Sequence, residues 1–341
     1  MRGVVVLIGW ALVIPVTIEG QVSLKKVSEE MVFNTPPFAQ CHASTIVETS
    51  GGKFMVAAFG GTAEGKKDVC IWLSAKDNDL WSTPVRVADG VVNDSLRYPC
   101  WNPVLFKNMK GKLFLFYKTG PSPAEWWGMA KSSTDNGLTW TAPERLPDVI
   151  LGPIKNKPVE LADGTIISGS STETKMSWKV HIERSTDHGI TWQSVPVDPL
   201  TEFNMIQPAI LVHPDGILQI LCRSRNNSIV QAFSADKGKS WSKVTRTDLP
   251  NPNSGIDALT LKDGSFLLVY NPVVQGAGDR AKLNVAVSED GLKWNVVFIL
   301  ENEKRGEYSY PAIIQSSDSL IHITYTYDRV NIKHVVLQEV R

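Results

Sequence analysis

The sequence predicts an all-β fold, a six-bladed β-propeller of four-stranded antiparallel blades, and two internal repeats are the basis of this prediction. A Ser-x-Asp-x-Gly-x-Thr-Trp element recurs along the chain, and a strand–turn–strand element occurs six times, out of phase with it. No segment shows a sustained 3.6-residue hydrophobic period, so a helical repeat is excluded. The remaining repeat unit of this length is a propeller blade.

The Ser-x-Asp element has three full copies, one shortened copy and one worn copy. They end at Trp140, Trp192, Trp241, Trp294 and Trp81, and successive tryptophans lie 59, 52, 49 and 53 residues apart. The Asp can accept hydrogen bonds from backbone N–H groups of its own turn, the Gly supplies a positive φ angle, and the Trp packs between neighbouring sheets. We therefore interpret this aspartate as structural and not catalytic.

The strand–turn–strand element is a short apolar strand joined by a tight turn to a second strand, which is typical of a hairpin. Its six copies open at His42, Trp101, Asn156, Gln207, Asp257 and Tyr310. Six hairpins interleaved with Trp-bearing turns describe six radial sheets, and closure of the ring protects the sheet edges. We expect residues 21–341 to form a single propeller domain.

The charge composition excludes several classes of partner. The chain has 35 basic and 35 acidic residues, so its net charge is zero. Nucleic acids and anionic membranes select a basic excess, so neither is an expected partner. The sequence contains no P-loop, Cys-x-x-Cys, His-Glu-x-x-His or Gly-x-Ser-x-Gly motif, and we expect no metal or other cofactor.

The N-terminus, residues 1–20, has the pattern of a signal peptide. Arg2 precedes an apolar run from Val4 to Ile18, which is shorter than the ~20 residues that a membrane-spanning helix needs. An uncleaved membrane anchor is the alternative. We expect a periplasmic or secreted protein with no membrane span after removal of the signal.

The cysteines fit neither a zinc site nor a redox pair by their spacing. They are Cys41, Cys70, Cys100 and Cys222. We expect them to be buried and unpaired, although export would permit one disulfide.

The first strand of each propeller blade lines the central channel, so the early residues of these strands are candidate ligand contacts. These strands contribute His42, Asn102, Lys157, Gln207, Asp257 and Tyr310. Strand ends and loops add Glu64, Asp68, Glu125, Trp126, Glu173, Arg223, Arg225 and Arg280. Such a polar and aromatic set suits a sugar, because aromatic faces stack on C–H surfaces while amides and charges bind hydroxyl groups. For Trp126 the alternative is packing between blades.

The two repeats resemble those of the sialidase superfamily, in which the Ser-x-Asp element is called the Asp box. The resemblance extends from about Phe38 to Val336. The runs Arg97–Pro103 and Gly306–Pro311 are similar to those of bacterial predicted sialidases. The resemblance implies a site in which three arginines hold the sugar carboxylate, a tyrosine activated by a glutamate is the nucleophile, and an aspartate is the acid/base.

Three of these family positions match the sequence. By resemblance, Arg223 in Leu221-Cys222-Arg223 corresponds to the second arginine, and Arg280 corresponds to the third. Tyr310 matches the nucleophile by strand register, with Tyr308 as the near alternative. For the arginines, the alternative role is an ion pair on the surface or between blades.

The other family positions differ. The first arginine is replaced by His42 and the glutamate by Gln207, and the acid/base aspartate has no clean match. Asp68, Glu64 and Glu125 compete for that role. A histidine binds a carboxylate less firmly than a guanidinium does, and a glutamine cannot accept the phenol proton. We expect a site for an acidic sugar whose chemistry departs from that of the family.

The sequence therefore predicts an exported glycoside hydrolase that releases a terminal acidic sugar, most simply α-linked sialic acid, from a glycan. Arg223 and Arg280, helped by His42, would hold the carboxylate, and Tyr310 would be the nucleophile or charge stabiliser. One alternative is a lyase or hydrolase that acts on a uronic-acid-type sugar, with His42 or Tyr310 as base. Another is a carbohydrate-binding propeller without catalysis.

Overall fold

The computed structural model describes residues 22–77, 80–276 and 278–340, and the predicted signal peptide lies outside them. These residues form an all-β fold of six radial antiparallel sheets, which confirms the predicted six-bladed propeller. Strands are numbered in chain order. Blade 1 contains β2 (Gln40–Glu48), β3 (Phe54–Gly61), β4 (Cys70–Asp77), β5 (Leu80–Trp81) and β6 (Val85–Ala88). Blade 2 contains β9 (Cys100–Lys107), β10 (Leu113–Thr119), β11 (Trp127–Ser133) and β12 (Glu144–Arg145). Blade 3 contains β13 (Val159–Glu160), β14 (Ile166–Glu173), β15 (Trp178–Ser185) and β16 (Gln193–Pro196).

Blades 4 to 6 complete the ring. Blade 4 contains β17 (Met205–Val212), β18 (Leu218–Ser224), β19 (Ser228–Ser234) and β20 (Thr245–Pro250). Blade 5 contains β21 (Asp257–Thr260), β22 (Phe266–Tyr270), β23 (Lys282–Ser288) and β24 (Asn295–Asn302). Blade 6 contains β25 (Tyr308–Gln315), β26 (Ile321–Tyr327), β27 (Asn331–Val340) and β1 (Ser23–Met31). A hairpin of β7 (Val91–Asn93) and β8 (Leu96–Arg97) connects blades 1 and 2, and a 3₁₀ turn spans Ser50–Gly52.

Closure of the ring depends on the N-terminal strand. β1 is the outermost strand of blade 6 and pairs with β27, whereas the three inner strands of that blade come from the C-terminus. The two ends of the described chain are thus joined in one sheet. This arrangement leaves no unpaired seam between the first and last blades, as expected for a closed propeller.

The Ser-x-Asp turns have the structural role that the sequence predicted for them. In the copy before Trp140, Asp135 Oδ1 accepts hydrogen bonds from Ser133 Oγ at 2.7 Å and from the N–H of Thr139 at 2.9 Å. Trp192, which follows the next copy, packs edge-on against Phe116 of the neighbouring blade with ring centroids 6.4 Å apart. The aspartates fix turns, and the tryptophans join blades.

A shared β-bulge determines where the inner strands direct their side chains. In blades 1, 2, 4 and 6 the innermost strand advances by three residues while its partner strand advances by two. In blade 6, for example, Ser309 pairs with Thr326 and Ala312 pairs with Thr324. A residue with positive φ lies at each bulge: Ala43 (55°), Asn102 (38°), Gln207 (56°) and Tyr310 (52°). Bulges redirect side chains, and proline is tolerated at them, which accounts for the prolines that follow three of these residues.

Two further predictions concern the cysteines and the membrane. All four cysteines are buried and unpaired, as expected. Among the described residues, no helix has the length and apolar character needed to cross a membrane.

Candidate active site

The candidate site lies at one end of the central channel, where the early residues of the inner strands meet the loops between the second and third strands of the blades. Tyr310 of β25 is at its centre. Its phenol oxygen accepts a hydrogen bond of 2.5 Å from Nη1 of Arg223, which lies on β18 in blade 4. The ring packs over Gly255, where an added Cβ would lie 3.1 Å from Tyr310 Cγ, so only glycine fits there without movement.

Arg223 is buried, with 5% of its surface exposed, yet it has no carboxylate bonded to it. Its Nη1 also donates to Oε1 of Gln207 at 3.2 Å, and its Nε donates to Oδ1 of Asn253 at 3.0 Å. These acceptors and the phenol are all neutral groups. The guanidinium charge is therefore balanced by no direct ion pair among the described residues, and an anionic ligand would compensate it.

Arg280 is brought to the same tyrosine from blade 5. Its guanidinium carbon lies 5.6 Å from the centre of the Tyr310 ring, and that of Arg223 lies 5.4 Å from it. Arg280 Nη1 donates to Glu307 at 2.9 Å, and the same carboxylate accepts a 2.8 Å bond from Nε of Arg329. Although burial alone would raise the pKa of Glu307, these two guanidinium groups lower it, so Glu307 is a carboxylate at neutral pH.

His42 packs against Tyr310 with ring centroids 4.1 Å apart and the ring planes tilted by 50°, and its Nδ1 is 2.9 Å from Oγ1 of Thr326. Burial, followed by the charges of Arg329 and Arg280, holds the pKa of His42 well below its usual range. The imidazole is therefore neutral at pH 7. In this state His42 cannot form an ion pair with a carboxylate, and its help in binding one is limited to hydrogen bonding.

Lys155 lies beneath the site, on the segment that leads into blade 3. Its ammonium group donates to the backbone carbonyls of Ile256 and Pro311 and to Oδ1 of Asn156. Burial lowers the pKa of Lys155 to about 7. The lysine links blades 3, 5 and 6 under Tyr310.

A second group of side chains forms the rim in blades 3 and 4. The exposed Arg225 stacks on the indole of Trp178 with its guanidinium carbon 3.9 Å from the ring centre, and Arg223 approaches the same ring at 5.7 Å. Glu173 faces Trp178 in the β14–β15 register. Burial raises the pKa of Glu173 to about 7, and the charges of Arg223 and Arg225 oppose this shift only in part.

The three carboxyl groups that the sequence offered as general acids are each engaged elsewhere. Glu64 accepts a 2.5 Å bond from Nη1 of Arg329. Asp68 accepts bonds from Oγ1 and N–H of Thr62, and these bonds lower its pKa. Asp68 thus fixes its own loop, and Glu125 is exposed on a loop where it accepts a 3.3 Å bond from Ser122.

Lys157 and Asp257 are not brought to Tyr310, contrary to their predicted place in the site. They form an ion pair of 2.5 Å, and they line a cavity of ≈340 Å³ together with the later residues of the inner strands, such as Val47 and Leu105. Blades 3 and 5 have no register shift in their inner strands, so no bulge turns these two side chains towards the mouth.

Trp126 is buried in a small hydrophobic cluster with Trp101 of its own blade and Ile154 of the segment that leads into blade 3, which agrees with packing between blades, the alternative to sugar contact. It is 8% exposed, and its ring centroid lies 6.0 Å from that of Trp101. Asn102 occupies the bulge of blade 2 and is also buried. Tyr308, the alternative to Tyr310, belongs to the hydrophobic core beside Tyr327, so Tyr310 is the tyrosine of the mouth.

Comparison with known proteins places this geometry in a family. Residues 52–323 match the model of the BNR repeat-like domain, which covers most of the chain. The chain belongs to the BNR repeat-like family and to the sialidase superfamily. A curated relative, the anhydrosialidase of Macrobdella decora, is 22% identical over 238 residues. That alignment covers 62% of this chain and only 31% of the relative.

A solved sialidase, a solved trans-sialidase and a solved protein of unknown function have the same fold. The NanB sialidase of Streptococcus pneumoniae superposes with a TM-score of 0.70 at 14% identity, over 92% of this chain and 70% of that one. The leech intramolecular trans-sialidase gives 0.71 at 13% identity, over 93% and 70%. A protein of unknown function from Dyadobacter fermentans gives 0.74 at 16% identity, over 94% and 100%.

The sequence reasoning missed three members of this BNR-family site. Arg329 and Glu307 lie outside both repeats, and Trp178 opens an outer strand. Arg329 follows Asp328 in a turn where both residues have positive φ, at 57° and 48°. Such a pair in a tight turn gives a weak sequence signal, because nothing in the pattern shows which way the arginine points.

Proposed function

We propose that this protein is a glycoside hydrolase that releases a terminal acidic sugar, most simply α-linked sialic acid, from glycans. The observation that supports the proposal is the convergence of Arg223 and Arg280 on Tyr310 from separate blades. A guanidinium binds a carboxylate through two parallel hydrogen bonds. Two such groups beside one phenol suit a sugar that has a carboxylate next to its anomeric carbon.

The charges of the mouth favour an anion over a neutral sugar. Arg223 has only neutral partners, and the exposed Arg225 stacks on Trp178. Glu307 and Glu64 pair with Arg280 and Arg329, so the positive charge that no bonded carboxylate offsets among the described residues is that of Arg223 and Arg225. A substrate carboxylate would replace lost solvation at the buried Arg223 and would be attracted by the remaining positive charge.

Tyr310 is placed to act at the anomeric carbon. A guanidinium only donates hydrogen bonds, so Arg223 Nη1 occupies one lone pair of the Tyr310 phenol oxygen. The other lone pair and the phenol proton point away from Arg223. The oxygen can therefore face developing positive charge at the anomeric carbon or attack it directly. The bulge at Tyr310, with its positive φ of 52°, holds the ring in this position.

The proposal is tested by incubating the protein with α-linked sialosides, uronides and other acidic glycosides and identifying the released sugar. Release of a free acidic sugar supports hydrolysis. A product that absorbs in the ultraviolet would instead indicate elimination by a lyase, for which the neutral His42 beside Tyr310 would be the base. Binding of an acidic glycan without turnover would indicate a non-catalytic propeller, which the replacement of glutamate by Gln207 favours.

We also propose that the protein is exported to the periplasm or secreted. The proposal is supported by Arg2 and the apolar run from Val4 to Ile18. Export would bring the enzyme to glycans outside the cytoplasm. N-terminal sequencing of protein recovered from each cell fraction tests it, and full-length protein in the cytoplasm alone would contradict it.

A further inference from the structure

The hydrolysis proposed above needs a proton donor for the departing oxygen, and the mouth contains five candidate carboxyl groups. Asp68 is held in its loop by Thr62, and Glu125 is exposed. Glu64 and Glu307 are ion-paired with arginines. An effective general acid must be protonated near neutral pH, whereas the hydrogen bonds from Thr62 lower the pKa of Asp68, and the two arginines, against the effect of burial, lower that of Glu307.

Glu173 differs from all of them. It is the last residue of β14, and its Oε1 is buried with no hydrogen-bond partner among the described residues. A buried carboxylate oxygen without a donor is costly, and protonation of the carboxyl group reduces this cost because it removes the buried charge. Glu173 faces Trp178, the ring that Arg223 and Arg225 share, and the charges of Glu64 and Arg223 act on it.

We propose that Glu173 is the general acid, and afterwards the general base, of this site. The assignment rests on the proposed function. Arg223 joins the two parts of the site, because it bonds the phenol of Tyr310 and lies beside the face that holds Glu173. A sugar whose carboxylate binds Arg223 would thus lie between Tyr310 and Glu173.

The burial of Glu173 raises its pKa to about 7, which matches this role. In the first step the glycosidic C–O bond breaks, its electron pair goes to the leaving oxygen, and that oxygen takes the proton of Glu173. Tyr310 and the substrate carboxylate stabilise the positive charge at the anomeric carbon. Water then bonds to that carbon and gives a proton to the Glu173 carboxylate, which restores the acid and completes hydrolysis.

The test compares the wild type with Glu173→Gln on two glycosides of the same acidic sugar, one with an alkyl and one with a nitrophenyl leaving group. General acid catalysis contributes about 10²–10⁴-fold, so the variant should lose roughly 100-fold or more in kcat/KM on the alkyl glycoside. The nitrophenyl glycoside needs little protonation and should lose less than about tenfold. Glu144→Gln, the same change on the exposed outermost strand of blade 2, is the matched control.

The pH profile gives a second readout. Wild-type activity on the alkyl glycoside should fall above pH about 7, as Glu173 loses its proton, and Glu173→Gln should lack this decline. Equal losses on both glycosides, or an unchanged alkaline limb, would overturn the assignment. If the wild type released no acidic sugar from any substrate, the proposed function itself would fail, and the assignment with it.

A titration separates the state of the residue from turnover. In ¹³C-carboxyl NMR of glutamate-labelled protein, one resonance should titrate near pH 7 and be missing from Glu173→Gln. Thermal unfolding of the variant checks that it folds, and Glu173→Asp serves if the glutamine variant does not. A Glu173 resonance that titrates below pH 5 would refute the assignment whatever the activity.

Discussion

Nη1 of Arg223 lies 2.5 Å from the phenol oxygen of Tyr310, although 87 residues separate them in the sequence. Ring closure brings the two together, because Arg223 is on the second strand of blade 4 and Tyr310 on the first strand of blade 6. This contact joins Arg223, which would bind the substrate carboxylate, to Tyr310, which would act at the anomeric carbon beside that carboxylate.

Replacing Arg223 with Ala should lower kcat/KM on an acidic glycoside by roughly 100-fold or more. Hydrogen bonds to charged groups contribute about 1.5–3 kcal/mol each, and this guanidinium can make two to a carboxylate. Steady-state kinetics on acidic and neutral glycosides measure the effect. Arg145→Ala, which removes an exposed arginine from Trp127 in blade 2, is the control and should leave kinetics unchanged. A loss of less than about threefold would contradict the role of Arg223.

Replacing Gln207 with Glu tests whether the proton of Tyr310 limits the reaction. The glutamine Oε1 lies 3.2 Å from Arg223, and a carboxylate in its place could accept the phenol proton. We expect kcat to rise about tenfold and KM to rise as well, because the new carboxylate competes with the substrate for Arg223. Gln193→Glu on an exposed outer strand is the control. An unchanged kcat would mean that removal of this proton is not limiting.

A histidine pair at the joint between blades 6 and 1 should make stability depend on pH. His322 Nδ1 is 3.0 Å from His334 Nε2, His334 Nδ1 is 3.0 Å from Glu30, and Glu30 also bonds Lys76. Burial lowers the pKa of His322 to about 3, so the folded state binds fewer protons than the unfolded chain between pH about 3 and 6.5. This stability is complete above pH 6.5 and is lost as pH falls, by up to ~1.4 kcal/mol per pH unit.

Chemical denaturation between pH 4 and 7 measures this dependence. His322→Gln removes the group that titrates and should flatten the slope. Equal slopes in wild type and His322→Gln would show that other groups dominate acid unfolding.

Replacing Glu183 with Ala should destabilise the protein by ~2–6 kcal/mol, because it leaves two buried N–H groups without an acceptor at about 1–3 kcal/mol each. Its fully buried carboxylate accepts bonds from the N–H groups of Leu151 and Gly152 at 2.7 and 2.8 Å. These residues support the segment that leads to Lys155 under the site. Urea unfolding measures the loss, with the exposed Glu202→Ala as control. A loss below about 1 kcal/mol would mean that water replaces the carboxylate.

The fold followed from the sequence because its determinants are local and repeated. Each Ser-x-Asp turn forms hydrogen bonds within itself, and the tryptophan that ends the turn marks a blade. Arg223 and Arg280 were assigned to the site by resemblance to the sialidase superfamily, and Tyr310 was matched to it by strand register. Lys157 and Asp257 were misplaced because the sequence does not show that their blades lack the bulge. Arg329 was missed because its direction depends on a single turn.

The arginine partners of Glu307 and Glu64 could not be predicted, since they come from distant parts of the chain. Glu307 and Arg329 meet across a turn, while Glu64 reaches Arg329 over 265 residues. The burial that distinguishes Glu173 from Glu64 likewise exists only in the assembled ring.

At the four bulges, the backbone conformation determines where a side chain points, whichever residue is present. Because the backbone itself turns positions 43, 102, 207 and 310 at the channel entrance, an exchange of side chain there leaves the surrounding sheets intact. A glutamine at position 207, where the resemblance to the sialidase superfamily implies a glutamate, can therefore be accommodated without loss of the scaffold. The backbone of the propeller thus fixes the positions of these side chains, and new substrate preferences can arise by point substitution alone.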